Sequence, residues 1–306
     1  MPDTVTPAPS LCAWLVALRP WSFTAAAVPV TFGTGLAALE GSWNPCLFIL
    51  VLLGGIALQA GTNLHNTYGD YMSGVDTLDS AGTCPQLVTG SLRPEAMYRA
   101  GWLAFICAGL TGLVLAWASG PMVLLFGVAG VLGGYLYTNG KMPYKYLGLG
   151  PFFVFLLMGP LMTLPAYLVQ TGSFSPAPVF SSLAIACLVS AIMHSNDIRD
   201  IVHDRAAKIR TLAMLLGRPY AVRLFAGLTL GAFVLLGLFL AVGLLPWPCL
   251  ADFILLPGLW NKLRQIQAPG YDFMDLEGWT AKFHFHFGLL LTAGLLAELA
   301  AARLLA

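Results

Sequence analysis

Long apolar runs separated by short polar connections dominate the chain. A helix that crosses the hydrocarbon core of a bilayer needs roughly 20 apolar residues. Reading by that length gives nine candidate spans, over residues 13–39, 45–66, 97–118, 121–138, 147–170, 177–195, 219–242, 244–261 and 283–303. Three prolines and Asp252 interrupt the eighth span. The pattern predicts an all-α, polytopic membrane protein.

The composition supports this class. Hydrophobic residues make up 58% of the chain and charged residues 9%, which excludes an ordinary soluble domain. The longest polar stretch runs from Thr67 to Tyr98, which is too short for a large soluble domain. The Pro- and Thr-rich residues 1–11 are expected to be disordered.

The positive charges are segregated between the two sides of the membrane. With nine spans, 14 of the 15 Lys and Arg residues fall on one side of the membrane, and only Arg303 falls on the other. By the positive-inside rule, the N-terminus is cytoplasmic and the C-terminus is outside. An even number of spans would break this segregation. The cytoplasmic set is Arg19, Arg93, Arg99, Lys141, Lys145, Arg199, Arg205, Lys208, Arg210, Arg218, Arg223, Lys262, Arg264 and Lys282.

Two segments at the ends of apolar runs share an Asn-x-x-x-Asp pattern. The first, NLHNTYGDYMSGVD, contains Asn66 and Asp70, and the second, HSNDIRDIVHDRAAKIRTL, contains Asn196 and Asp200. A membrane protein rarely keeps carboxylates near hydrocarbon unless they have a function. Yet these segments, together with Asp79 just after the first, hold six of the 14 acidic residues: Asp70, Asp76, Asp79, Asp197, Asp200 and Asp204.

The spacing of these residues suits a divalent cation. Residues four apart lie on one face of a helix, so each Asn and Asp pair forms a stripe of oxygen ligands, which Asn63 extends in the first motif. Mg²⁺ prefers oxygen ligands and bridges carboxylates to phosphates. The two stripes would hold two ions with a diphosphate between them. Alternatively, the acidic and basic residues form surface ion pairs. The basic residues available to the diphosphate are Lys141, Lys145, Arg199, Lys208 and Arg210.

Both motif strings resemble the two aspartate-rich motifs of the UbiA superfamily of intramembrane prenyltransferases. The resemblance extends through RPWSFTAAAVPVTFGTGLA and YLYTNGKMPYKYLGLGPFFVFLLMGPL, and covers the chain from about Leu18 to Gly217. The C-terminal third is similar mainly in hydropathy and in HFGLLLTAGLL. Three features are most similar to the menaquinone branch, the 1,4-dihydroxy-2-naphthoate polyprenyltransferases. They are the string YLYTNGKMPYKYLGLGPFFVFLLMGPL, the Gly-Val-Asp ending of the first motif and the Asn-x-x-Arg-Asp form of the second.

This resemblance implies one integral-membrane domain over residues 1–306. Its fold would be a nine-helix bundle with a central cavity that opens to the cytoplasmic face. Family members bind a polyprenyl diphosphate through two Mg²⁺ ions, and the allylic cation that forms alkylates an aromatic ring. In the menaquinone branch, ring attack is coupled to loss of the carboxyl group.

The resemblance also implies roles for individual residues. Lys141 follows Tyr137 in the Y-x-x-x-K arrangement that members use near the diphosphate, and Thr67 stands where many members have a further Asp. The expected catalytic residues are Asp70, Asp200 and Lys141. The expected metal ligands are Asn66, Asp70, Asp76, Asn196, Asp200 and Asp204. The expected substrate-binding residues are Asn63, Tyr68, Tyr137, Lys141, Lys145, Arg199 and Lys208.

Two alternatives remain open. A transporter would use the carboxylates as a cation pathway, but transporter sites usually lie near the bilayer midplane and these acids lie at span ends. Within the family, the acceptor could instead be 1,4-dihydroxy-6-naphthoate, 4-hydroxybenzoate or a tetrapyrrole, because acceptor and prenyl length depend on cavity shape. We expect a bacterial inner-membrane protein in contact with lipid, a polyprenyl diphosphate and an aromatic acceptor, with no nucleic acid and no protein partner.

Overall fold

The computed structural model describes residues 10–78 and 84–305, and every regular element in this part of the chain is helical. The α-helices, in chain order, are α1 (Leu11–Leu18), α2 (Thr24–Leu39), α3 (Pro45–Met72), α4 (Pro94–Ser119), α5 (Met122–Leu136), α6 (Gly150–Met158), α7 (Pro160–Thr171), α8 (Pro176–Ser181), α9 (Leu183–Ala206), α10 (Leu212–Leu216), α11 (Arg218–Ala241), α12 (Leu256–Gln265) and α13 (Leu276–Leu305). Four 3₁₀ segments connect them, at Pro20–Phe23, Tyr144–Leu147, Trp247–Leu255 and Phe273–Asp275.

Seven helical stretches in the described residues are long and apolar enough to cross a membrane. The predicted fourth span is α5, a shorter apolar helix. The predicted eighth span is the 3₁₀ segment Trp247–Leu255 followed by α12. The count of nine spans stays a prediction. The seven stretches are Leu11–Leu39, Pro45–Met72, Pro94–Ser119, Gly150–Thr171, Pro176–Ala206, Arg218–Ala241 and Phe273–Leu305.

Two predicted span ends were too early. The apolar pattern ends at residues 66 and 195, whereas α3 continues to Met72 and α9 to Ala206. Hydropathy indicates whether a residue lies in lipid or in water. A helix can continue past the last apolar residue into polar sequence, because its backbone hydrogen bonds do not depend on hydropathy. The Asn-x-x-x-Asp part of each motif therefore lies on the last turns of its helix, and Asp76 lies beyond the end of α3.

The first span is not a single helix. Ser10 caps α1 through its Oγ, which accepts from the backbone N–H of Ala13 at 3.1 Å, so Ser10 and Leu11 belong to ordered structure rather than to the expected disordered segment. The rest of that segment, residues 1–9, lies outside the described residues. Arg19 ends α1 in the left-handed conformation, with φ of 52°. A 3₁₀ turn then leads into α2, and this break brings Arg19 to the motif end of α3.

Close helix packing connects the two motif-bearing helices. Helix α2 packs against α3, α7 and α13, and α13 packs in turn against α9. At Gly33 an added Cβ would lie 2.3 Å from the carbonyl oxygen of Thr163, so α2 and α7 approach more closely than a larger residue allows. The large core between α2, α9, α11 and α13 includes Phe32, Ile185, Leu188, Phe225, Leu236, Phe287 and Leu291.

Candidate functional site

The first motif forms an oxygen-lined patch at the end of α3. Asn66 donates from Nδ2 to Asp70 Oδ2 at 2.8 Å, as their spacing of one helical turn requires. The backbone N–H groups of Val75 and Asp76 both donate to the carbonyl of Asp70, at 2.9 and 3.2 Å, which folds the chain back over the helix end. Burial and the charge of Asp70 raise the pKa of Asp76 to about 6.

The fourth loop supplies the partners of Asp70. The 3₁₀ turn Tyr144–Leu147 places Lys145 Nζ at 2.7 Å from Asp70 Oδ2 and the Tyr146 hydroxyl at 2.6 Å from Oδ1. Burial alone would lower the pKa of Lys145, but the charge of Asp70 outweighs it and raises that pKa well above its ordinary value. Lys145 is therefore a cation held against the first motif.

The second motif is neutralised by a neighbour on its own helix. Arg199 donates from Nε and Nη2 to the two carboxylate oxygens of Asp200, each at 2.7 Å. Arg199 also contacts Glu277, on the first turn of α13, and Asn196 Nδ2 donates to Glu277 Oε2 at 3.0 Å. Further along α9, Asp204 Oδ2 accepts from the hydroxyl of Thr211 at 3.0 Å.

The two motifs lie at the same end of the bundle. Asn66 of the first motif and Asn196 of the second line the same cavity. Arg19 contacts the first motif: it donates to Asn66 Oδ1 at 3.3 Å and to Thr67 Oγ1 at 3.2 Å. The C-terminal ends of α3 and α9 also carry the partial negative charge of the helix dipole. This end of the bundle therefore attracts cations.

A cavity of about 150 Å³ adjoins these residues. Its polar end is formed by Arg19, Asn63, Asn66, Asn196 and Glu277. The remaining walls are mainly apolar or aromatic and include Trp21, Leu58, Phe126, Gly130, Tyr137, Val154, Leu157, Leu161, Met162, Val189 and Ile192. The cavity can thus hold a ligand with one polar or charged end and an apolar body.

Two of the predicted substrate-binding residues line this cavity. Asn63 is fixed there by hydrogen bonds from its Nδ2 to the carbonyl of Leu18 and the hydroxyl of Ser22, both at 2.8 Å. The hydroxyl of Tyr137 lies 2.6 Å from Met193 Sδ.

Three other predicted residues lie elsewhere. Tyr68 does not line the cavity and packs on Tyr98, with ring centroids 4.9 Å apart. Lys141 and Lys208 are exposed, and neither side chain makes a hydrogen bond or ion pair within residues 10–78 and 84–305. The structure therefore places Lys145, rather than Lys141, against a motif carboxylate.

Sequence reasoning missed four residues of the site: Arg19, Tyr146, Asp197 and Glu277. Asp197 is buried, its Oδ1 has no hydrogen-bond partner among the described residues, and the charges of Asp200 and Asp204 act on it. Its position beside Asn196 in the second motif was a usable signal. Glu277 lies 81 residues from Asn196, and no pattern in the sequence connects them.

The donor chemistry of the site fits Mg²⁺. Within the described parts of the chain, no three His, Cys, Asp or Glu side chains are grouped closely enough to hold a metal ion by themselves. The motifs, however, also contribute amide oxygens, and the buried Asp197 Oδ1 lacks a partner in the described structure. Hard oxygen donors of this kind suit an ion that keeps several of its waters. The six-residue ligand set stays a prediction.

Comparison with known proteins agrees with the sequence motifs. The UbiA prenyltransferase family model matches residues 26–272. The 1,4-dihydroxy-2-naphthoate octaprenyltransferase of Bacillus subtilis is 32% identical over 91% of this chain and 90% of its own. The Escherichia coli protein of the same name is 30% identical over 84% and 82%. A UbiA homologue from Archaeoglobus fulgidus, solved with GPP and Mg²⁺, has the same fold, with a TM-score of 0.60 at 14% identity over 92% of this chain and 99% of that one. This chain belongs to the UbiA prenyltransferase family and is a membrane prenyltransferase.

Proposed function

We propose that this protein transfers a polyprenyl group from polyprenyl diphosphate to 1,4-dihydroxy-2-naphthoate, with decarboxylation, in menaquinone biosynthesis. The observation that carries the proposal is that Asn66 of the first motif and Asn196 of the second line one cavity whose other walls are mainly apolar. The names of the Bacillus subtilis and Escherichia coli relatives support the choice of acceptor.

Two Mg²⁺ ions are proposed as the cofactor. The Archaeoglobus fulgidus structure with GPP and Mg²⁺ supports a magnesium requirement. When bound, the ions neutralise the charge that develops on the leaving diphosphate. The residues proposed to hold them are Asn66, Asp70 and Asp76 from the first motif, and Asn196, Asp200 and Asp204 from the second.

Basic residues of the site are proposed to bind the diphosphate oxygens. Lys145 and Arg199 already contact the motif carboxylates, and Arg19 lines the cavity beside Asn66. Fixed cations aimed at developing negative charge stabilise it without reorganisation during the reaction. We assign Lys145 the role first expected for Lys141, because Lys145 is buried at the site and Lys141 is exposed.

The apolar cavity walls are proposed to surround the prenyl group and exclude water. The bond between the prenyl carbon and the diphosphate oxygen breaks, and the aromatic ring forms a carbon–carbon bond to the allylic cation. Carbon dioxide then leaves, and the electron pair of the bond that held it stays with the ring. An electron-rich dihydroxynaphthoate is nucleophilic enough for this step without a strong base. A dry site prevents water from capturing the cation.

We further propose the orientation in the membrane. The site residues lie at the ends of helices whose connecting loops carry almost all the positive charge. By the positive-inside rule this end faces the cytoplasm, with nine spans, the N-terminus inside and the C-terminus outside, in a bacterial inner membrane.

The acceptor is tested with purified protein, Mg²⁺ and a polyprenyl diphosphate against a panel of acceptors. Mass spectrometry should show a prenylated, decarboxylated product from 1,4-dihydroxy-2-naphthoate and none from 4-hydroxybenzoate. Product formed only from 4-hydroxybenzoate, or only from 1,4-dihydroxy-6-naphthoate, would assign another acceptor within the same family.

A further inference from the structure

Arg199 is shared between two carboxylates that come from different helices. On α9 it binds both oxygens of Asp200, through Nε and Nη2 at 2.7 Å each. Its third nitrogen, Nη1, pairs with Glu277 at the start of α13. The Arg199 side chain is only 6% exposed, so its charge depends on these two partners rather than on water.

Arg199 and a divalent cation would compete for the same two atoms. A metal ion that binds Asp200 would use carboxylate oxygens to which Arg199 now donates, and its positive charge would repel the guanidinium. Moving Arg199 away from Asp200 leaves a buried guanidinium that needs another anion. Glu277 is already in contact with it, lines the cavity, and has its Oε2 fixed by Asn196 at 3.0 Å.

The first motif provides a contrast. Lys145 likewise forms an ion pair with the motif aspartate Asp70, at 2.7 Å. Within residues 10–78 and 84–305, however, it forms no ion pair with a second carboxylate. The second motif therefore has an additional residue that can hold the displaced cation.

We propose that Glu277 is a positioning residue that holds Arg199 away from Asp200 and thereby opens Asp200 to a divalent cation. The inference rests on the proposed metal site. Without the Glu277 carboxylate, Arg199 pairs with Asp200 alone and competes more strongly with the metal ion. Glu277 thus acts on metal affinity through Arg199 and not as a ligand.

The test is Mn²⁺ binding by the full-length protein in detergent, followed by electron paramagnetic resonance. Glu277→Gln keeps the size of the side chain and should weaken binding by about tenfold, the effect of losing one strong coupling between charged neighbours. In an Arg199→Gln background the same change should have an effect of less than about twofold, because the competing cation is gone. Glu277→Asp keeps the charge but is too short to hold Arg199, and should also weaken binding.

Asp275→Asn is the matched control. This carboxylate lies two residues from Glu277 but pairs with Lys262 at 2.8 Å, so Mn²⁺ affinity should not change. An equal loss from Glu277→Gln in both backgrounds, or wild-type affinity in Glu277→Asp, would overturn the inference and leave the proposed metal site intact. Wild-type protein that binds no Mn²⁺ would overturn both. If Glu277→Gln does not fold, the Mn²⁺ affinity of the charge-conserving Glu277→Asp variant tests the inference.

Discussion

Asp70 and Asp200 each lie against a basic side chain at the same end of the bundle. Asp70 is held by Lys145 and Tyr146 from the fourth loop, and Asp200 by Arg199 from its own helix. A carboxylate in this position is costly unless a cation compensates it. Under the proposed function these cations are exchanged for metal ions when substrate binds, and turnover should then depend most on the two aspartates.

Replacing either aspartate should nearly abolish turnover. Asp70→Ala and Asp200→Ala should each reduce the rate by at least about a hundredfold, because leaving-group charge is then poorly compensated. The measurement is prenyl transfer by purified variants, with protein yield as the check on folding.

Thr67→Ala is the control for these two changes. Thr67 accepts a hydrogen bond from Arg19 and donates one to Cys84, so its loss should cost about 1 kcal/mol, or a severalfold decrease in rate. Small and equal effects for all three variants would favour surface ion pairs over a metal site.

The two lysines of the fourth loop should differ sharply. Lys145→Met removes the buried partner of Asp70 and one donor to the diphosphate, and should lower the rate by about a hundredfold. Lys141→Met changes an exposed side chain, so its effect should be within about threefold. Steady-state rates at saturating Mg²⁺ distinguish the two. A larger loss at Lys141 would return the catalytic role to that residue.

At the scale of residues, the sequence predicts which side chains lie close together on one helix. It does not predict which side chains of different elements the fold brings together. The four-residue spacing was enough to pair Asn66 with Asp70, which the hydrogen bond between them confirms. It could not distinguish Lys141 from Lys145, because a 3₁₀ turn decides which lysine faces the motif. Glu277 reaches the second motif only through the packing of α13 on α9.

At the scale of helices, the ends of α3 and α9 determine where the chemistry lies. Hydropathy located most of the spans, but it ended these two where the polar motifs begin. Their extension to Met72 and Ala206 places the carboxylates on helical turns, with fixed spacing, rather than in loops. Hydropathy also missed the break at Arg19, since the flanking residues are apolar, although Pro20 directly after it is a helix-boundary signal.

The contact between α2 and α7 should depend on Gly33. Gly33→Ala places a Cβ 2.3 Å from the backbone oxygen of Thr163, and because backbone cannot rotate away, the helices must separate. The expected cost is about 1–3 kcal/mol of stability. Thermal unfolding in detergent should therefore show a lower midpoint for this variant.

Gly109→Ala on α4 is the matched control, because nothing lies within 4 Å of the added Cβ. Alanine has the higher helix propensity, so stability should be unchanged or slightly higher. Equal midpoints for the two variants would contradict the close approach of α2 and α7.

At the scale of the whole molecule, a joint site requires that the motif ends of α3 and α9 face the same compartment. In a background without the native cysteines, Ser73→Cys and Ala206→Cys should react with an impermeant thiol reagent from the cytoplasmic side, since both positions are exposed at the ends of α3 and α9. Ser173→Cys, in the loop after α7, should react from the opposite side. Labelling of Ser73→Cys and Ala206→Cys from different sides would exclude a joint site.

The helical class and the membrane location could be predicted from the sequence, because spacing of apolar runs reports directly on burial in lipid. The resemblance implied a central cavity, but the shape of that cavity could not be predicted. Its walls come from helices distant in sequence, and their shape depends on details such as the short α5 and the glycines that line it. The choice of acceptor and the length of the prenyl chain depend on the shape of the cavity.

The central claim is that prenyl transfer and decarboxylation occur together at this site. The most direct measurement uses 1,4-dihydroxy-2-naphthoate labelled in its carboxyl carbon, with purified protein, polyprenyl diphosphate and Mg²⁺. The account predicts release of labelled carbon dioxide in equal amount to the prenylated product, and loss of both when prenyl diphosphate is omitted or Mg²⁺ is chelated. A prenylated product that keeps the label, or carbon dioxide release without prenyl diphosphate, would contradict it.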